Sequence, residues 1–415
     1  MSADSNLEAG LNSVAERRAR TSESLRAGYV AVTTLLLVAA INFWVRNLET
    51  NPLTVAQNAR VMFTGPRDQT DPVYSPLPPN DSNNLSILYI GNSQSYAIMD
   101  FRAGDLSMIT SLSDILNGGR ETQTSPFPVR HGSEPNLRMS EVLVKSVTAG
   151  SDAKHRPGVV IVGLVLDGLR VIDARGDIAQ AAKNTLVSEE LSALAERHQE
   201  FPAAIPVVKS LAAAPEVEGN LPQSRTSGIQ RRMPTAETVE GRLQDALDGS
   251  VALFRKRKNL YGLLVSFYET QRNRVFRIDT STRRPIPGET YRTNLQLIEM
   301  ALAYLREHGV HAVVYFAPVR PVEPNPYDPA DIARFRQDLS GMCNRQSAIC
   351  LDYSNLVPEE MWTVYQDNEP TGKQGQRDYA HFTGRAHRKV AEQLAGDLLP
   401  YLHKWLSEKR STAAR

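Results

Sequence analysis

From residue 85 onward, short apolar runs alternate with longer amphipathic stretches. Leu85-Ser86-Ile87-Leu88-Tyr89-Ile90, bounded by Asn83-Asn84 and by Gly91, reads as a buried strand. Residues 159–166 are apolar almost throughout, as strands covered on both faces of a parallel sheet are. Residues 311–316 and 348–352 read as two further strands. Helical periods fall between and after them: 137–147, 291–308 closed by Gly309, 328–343, and a last helix over about 384–406. That helix carries Val390, Leu394, Leu398 and Leu402 on one face, with Thr383 at its cap. Strands alternating with helices of this length require right-handed crossovers, so the expectation is an α/β fold with a mainly parallel sheet.

Two regions break that rhythm. Residues 175–290 predict a helical insertion with candidate helices at 187–198, 235–254 and 259–275, the last with Leu260, Leu263, Leu264 and Phe267 on one face. The polar stretch 215–234 between the first two makes the insertion a lid, a docking surface or a plain helical elaboration. At the other end, residues 1–26 are polar and hold Arg17, Arg18, Arg20 and Arg26, while 27–45 contain no charge. That length suits a bilayer core, and Tyr29 and Trp44 suit its interfaces. The expectation is a cytoplasmic tail (1–26), a transmembrane helix (27–45), and a stalk (46–84) carrying Pro52, Pro66, Pro72, Pro76, Pro78 and Pro79. An extracytoplasmic domain (85–408) then follows, giving a single-pass cell-membrane protein.

Composition changes little: 41% hydrophobic and 22% charged residues are ordinary for a globular chain. A net charge of +1, with no basic run interleaved with aromatics, argues against a nucleic-acid partner. The two cysteines, Cys343 and Cys350, are an even count that permits a disulfide in an extracytoplasmic setting and are too few for a metal site. No cofactor is expected.

The candidate chemistry lies at the two ends of the domain. Gly91-Asn92-Ser93 follows the first strand, where open α/β sheets bind ligands, which makes Ser93 a candidate nucleophile. Its rival, Ser95, lies where a hydroxyl caps the next helix. Asp378-Tyr379-Ala380-His381, expected in a loop entering the last helix, can hold an imidazole by Nδ1 and leave Nε2 free as a base. Of the other histidines, His131 reads as a turn residue and His387 as solvent-facing.

Gly91-Asn92-Ser93-Gln94-Ser95 together with Asp378 and His381 resembles the SGNH (GDSL-type) hydrolases, with Asn92 where many members have Asp. The resemblance implies a flavodoxin-like three-layer α/β/α domain and a Ser93–His381–Asp378 triad. It also implies oxyanion donors from a second block, here Asn136 or Gly132. The family's third block carries an Asn donor where this chain has Asp167, beside Arg170, and an ionised carboxylate cannot donate. The membrane-anchored branch containing the D-alanyl transfer protein and the alginate O-acetylation proteins is the most similar in layout. That implies O-acyl transfer to a cell-envelope polysaccharide beside a polytopic membrane O-acyltransferase. A carbohydrate or lipid esterase and a silent glycan-binding scaffold are the alternatives.

Overall fold

The computed structural model describes residues 76–79, 82–98, 102–119, 125–213, 276, 279–364 and 375–413. All belong to one compact unit, Asn58–Glu218 with Arg272–Arg415; a second unit, Met1–Gln57 with Gly219–Gln271, lies outside the described residues. The expected tail, the 27–45 span, most of the stalk and the expected helices at 235–254 and 259–275 therefore lie outside them as well.

The four expected strands and a fifth, unexpected one pair as a wholly parallel sheet. These are β1 (Ile87–Ile90), β2 (Val129–His131), β3 (Val159–Leu164), β4 (His311–Phe316) and β5 (Ile349–Asp352), in the order β2-β1-β3-β4-β5. Side chains alternate across each strand. Ile87, Tyr89, Val159, Ile161, Val313 and Tyr315 face one core; Ile90, Val160, Val162, Leu164, Val314 and Phe316 face the other. Both faces of β1, β3 and β4 are therefore apolar, which is why these three strands read as continuous runs.

Helices close each face. The first core is covered by α1 (Met108–Leu116) and the C-terminal helix α8 (Gly384–Ala413). The second is covered by α2 (Met139–Ser151), α4 (Thr185–Arg197), α6 (Gly288–Glu307) and α7 (Pro329–Gln346), with the shorter α3 (Gly176–Ala181) and α5 (Ile205–Ala213) beside them. The result is a three-layer α/β/α sandwich. Each fully buried aliphatic or aromatic side chain contributes roughly 1.5–3 kcal/mol of transfer free energy.

Local chemistry fixes several joints. Asp328 accepts the Ala330 N–H and Pro329 occupies the first turn, so α7 begins there; it ends at Ser347, whose φ of 54° is left-handed. The turn is stapled by a Cys343–Cys350 disulfide joining α7 to β5. Under the sheet, the Tyr89 and Tyr315 hydroxyls hydrogen-bond to each other. Gly163 in β3 makes room for them, since a Cβ there would come within 2.7 Å of both oxygens.

The expected location needs correction. Among the described residues no helix is long and apolar enough to cross a membrane, which overturns the single-pass cell-membrane assignment with its cytoplasmic N-terminus. The longest described helix, α8 with 30 residues, is amphipathic and contains Pro400. The 27–45 segment that prompted the assignment is not among the described residues.

Candidate active site

The chain crosses from β1 to β2 on one side and then from β2 back to β3 on the other side of β1, so the strand order reverses there and a crevice opens at the carboxyl end of β1. The chain enters it through Gly91 and Asn92 and makes a single 3-10 turn, Ser93–Ser95. Asn92 caps that turn, its Oδ1 accepting the Gln94 N–H at 3.0 Å. Contrary to expectation Ser95 caps no helix, since the next described helix, α1, begins only at Met108 with Ser107 as its cap. The Ser93 N–H makes no hydrogen bond among the described residues. Ser95 donates its hydroxyl proton to Asn92 O at 2.6 Å, so it is a structural hydroxyl.

The Asp-x-x-His tetrad arrives on a separate two-stranded ribbon. β6 (Trp362–Val364) and β7 (Arg377–Phe382) are antiparallel. Trp362 pairs with Phe382 and Val364 with Arg377, so the β7 segment between the pairs is the longer and bulges out of register. Asp378 and His381 sit in that bulge. They are thus on an irregular strand, where a helix-entry loop was expected. The bulge re-aims both side chains toward the turn at Ser93.

The three residues come together. His381 Nε2 lies 3.0 Å from Ser93 Oγ, and Nδ1 lies 2.9 Å from Asp378 Oδ2. Asp378 Oδ1 also accepts the backbone N–H groups of Ala380 (2.7 Å) and His381 (3.1 Å). Burial pushes the Asp378 carboxyl up, but the His381 charge and these donors outweigh it and hold the group below its ordinary value. An ionised Asp378 can only accept, so Nδ1 carries the proton and Nε2 is left to accept from the Ser93 hydroxyl. Ser93 is 7% exposed and Asp378 is fully buried.

The two candidates for the second oxyanion donor separate. The Gly132 N–H donates to Tyr89 O at 2.7 Å, continuing the parallel ladder, and is not available. Asn136 is exposed, has a left-handed φ of 50°, and its N–H makes no hydrogen bond among the described residues. The loop before it is anchored by Arg175, which donates to Pro135 O (2.8 Å) and pairs with the buried Glu141 (2.7 Å). Asp167 pairs with Arg170 (3.1 Å) and Arg284 (2.6 Å), so its carboxylate is spent on an ion-pair cluster.

Of the two other histidines singled out from sequence, one differs from its expectation. His131 Nδ1 accepts the Ser133 N–H (2.9 Å), as a turn residue would. His387 is buried rather than solvent-facing. Its Nδ1 accepts the Met108 N–H (3.1 Å) and its Nε2 donates to Ala97 O (3.2 Å). It thereby latches α8 to the segment that leaves the Ser93 turn. A cleft of about 410 Å³ opens beside β5, but its lining includes none of the three converging residues. Its Tyr353 hydroxyl and Gln393 amide are already bonded to Asp397.

No protein-family profile matches the chain, and no curated protein does. Among solved structures, a Bacteroides fragilis protein bearing the provisional name acylhydrolase matches over 80% of this chain and 92% of its own. The two are 11% identical with a TM-score of 0.31, too loose a likeness to assign a fold or an activity.

Proposed function

We propose that the protein is a serine acyl-ester hydrolase or acyltransferase working through Ser93, His381 and Asp378. The observation that carries this is the single imidazole hydrogen-bonded to Ser93 Oγ on one side and to a buried carboxylate on the other. In this reading Ser93 Oγ attacks the ester carbonyl carbon as His381 Nε2 takes its proton, and Asp378 stabilises the resulting imidazolium. The oxyanion accepts from the backbone N–H groups of Ser93 and Asn136. One such donor is worth about 3 kcal/mol in the transition state. Collapse expels the alcohol, which takes the proton from His381 and leaves an acyl-serine. Water or a second hydroxyl, activated by the same imidazole, then releases the acyl group.

The first-block resemblance, Gly91-Asn92-Ser93-Gln94-Ser95, supports a carbohydrate hydroxyl as the acceptor of the acyl group. The full chain should hydrolyse p-nitrophenyl acetate and react with a fluorophosphonate at Ser93. Ser93→Ala should lose both activities, and Ser95→Ala should keep them. A wild-type chain inert toward both reagents, or labelling that survives in Ser93→Ala, would refute the assignment.

A further inference from the structure

The bulge in the β6–β7 ribbon raises a problem of its own. Where the ladder loses register, backbone carbonyls lose their N–H partners, and a buried carbonyl without a donor costs about 1–3 kcal/mol. Thr363 O and Asp378 O lie in this irregular stretch. Both accept from one group, Nη1 of Arg320, at 2.7 and 3.0 Å. The Arg320 side chain is 3% exposed. Its Nε and Nη2 are taken by Glu359, with Nε 2.8 Å from Oε2, so the guanidinium is charge-compensated as well as bonded. The Tyr379 ring, in the middle of the tetrad, lies 5.8 Å from the Arg320 guanidinium carbon. Thr363, held by the same guanidinium, donates its hydroxyl to His381 O at 3.1 Å.

The loop that carries Arg320 also reaches the nucleophile. It follows β4, and Pro318 O accepts from Gln94 Nε2 at 3.1 Å, one residue from Ser93. Val319 N–H donates to Ser354 O (2.9 Å) and Ala317 N–H to Leu164 O (2.9 Å), so the loop is fixed to β3 and to the segment just past β5 as well. Residues 318–320 therefore touch both halves of the site, the 3-10 turn at one end and the acid–base bulge at the other.

We infer that Arg320 is a positioning residue that sets the height of His381 over Ser93 by supplying the hydrogen bonds the bulged ribbon lacks. This rests on the serine-hydrolase reading above but adds a residue that touches no reacting atom. A lysine cannot reproduce it, because one ammonium cannot span two carbonyls and a bidentate carboxylate. Displacement of an acid–base group by about 1 Å can cost roughly 100-fold in rate.

The test uses the full chain with p-nitrophenyl acetate. Arg320→Lys and Arg320→Ala should lower kcat roughly 10- to 100-fold with KM within about twofold of wild type. Both should still unfold cooperatively. Methylguanidinium added to Arg320→Ala should restore part of the lost kcat, and the downfield proton resonance of His381 Nδ1–H should move or broaden in both variants. Wild-type kcat in the two variants would overturn the inference. So would a loss that tracks the unfolded fraction and that methylguanidinium does not relieve. Ser93→Ala separates the two readings. If it turns over like wild type, the triad itself is wrong; if it is dead while the Arg320 variants are fully active, only the positioning role fails.

Discussion

Acid should destabilise this protein through His387 before it protonates most carboxylates. The ring is enclosed by Phe382, Ala97 and Met108; burial, helped by the nearby His381 charge, outweighs the hydrogen bond to Ala97 O and lowers its pKa to about 3. In the unfolded chain a histidine titrates near 6.5. The folded-state value is depressed, so the unfolded state takes up the proton first and stability falls as pH drops below about 6.5. Between pH 7 and pH 5 the loss from this one group is about 2 kcal/mol, at roughly 1.4 kcal/mol for each unit of separation. His311, also lowered by burial, adds in the same direction. Urea unfolding of wild type and His387→Gln at pH 7, 6 and 5 isolates the His387 share. His387→Gln should be less stable at pH 7, having lost the acceptor for Met108 N–H, yet lose about 2 kcal/mol less on going to pH 5. Parallel pH profiles for the two proteins would refute the reasoning.

Asp378→Asn should lower kcat on the order of 10⁴-fold, since an amide nitrogen facing Nδ1 forces the proton onto Nε2, where it can no longer accept from Ser93; the stopped-assay rate with p-nitrophenyl acetate measures this, and a loss under tenfold would contradict it. Cys343→Ala combined with Cys350→Ala opens a loop of sequence separation 7 and should cost about 2.5 kcal/mol in urea unfolding. Ser93 labelling should be unchanged in that double variant. An unshifted urea midpoint would show that the staple contributes nothing.

What the sequence made legible follows from burial. β3 and β4 are apolar on both faces and announce themselves, and the glycine-hydroxyl turn with Asp-x-x-His marks the site because side-chain chemistry at fixed spacing survives without an alignment. β2 does not show, because Val129-Arg130-His131 is three residues long with only the first fully buried. The β6–β7 ribbon was hidden for a different reason: its bulge destroys the alternation by which strands are read. The Gly132 N–H was misjudged because a parallel ladder that continues past a strand end leaves no mark in residue type. His387 could have been placed correctly. Counting from it, Val390, Ala391 and Leu394 fall at i+3, i+4 and i+7, which puts the imidazole on the apolar stripe of α8.

The contact between Ser93 and His381 bridges 288 positions of the chain. The serine precedes the imidazole in the chain, and α8, which follows β7, is tied back by Lys409 Nζ to Asn84 O at 2.8 Å. During synthesis Ser93 therefore emerges 288 residues before the imidazole proposed to activate it. A chain clipped ahead of β7 would retain Ser93 and the five strand sequences but lose both His381 and the α8 residues that cover one sheet face. In the proposed mechanism, activation of Ser93 therefore depends on β7 being present and packed against the Ser93 turn.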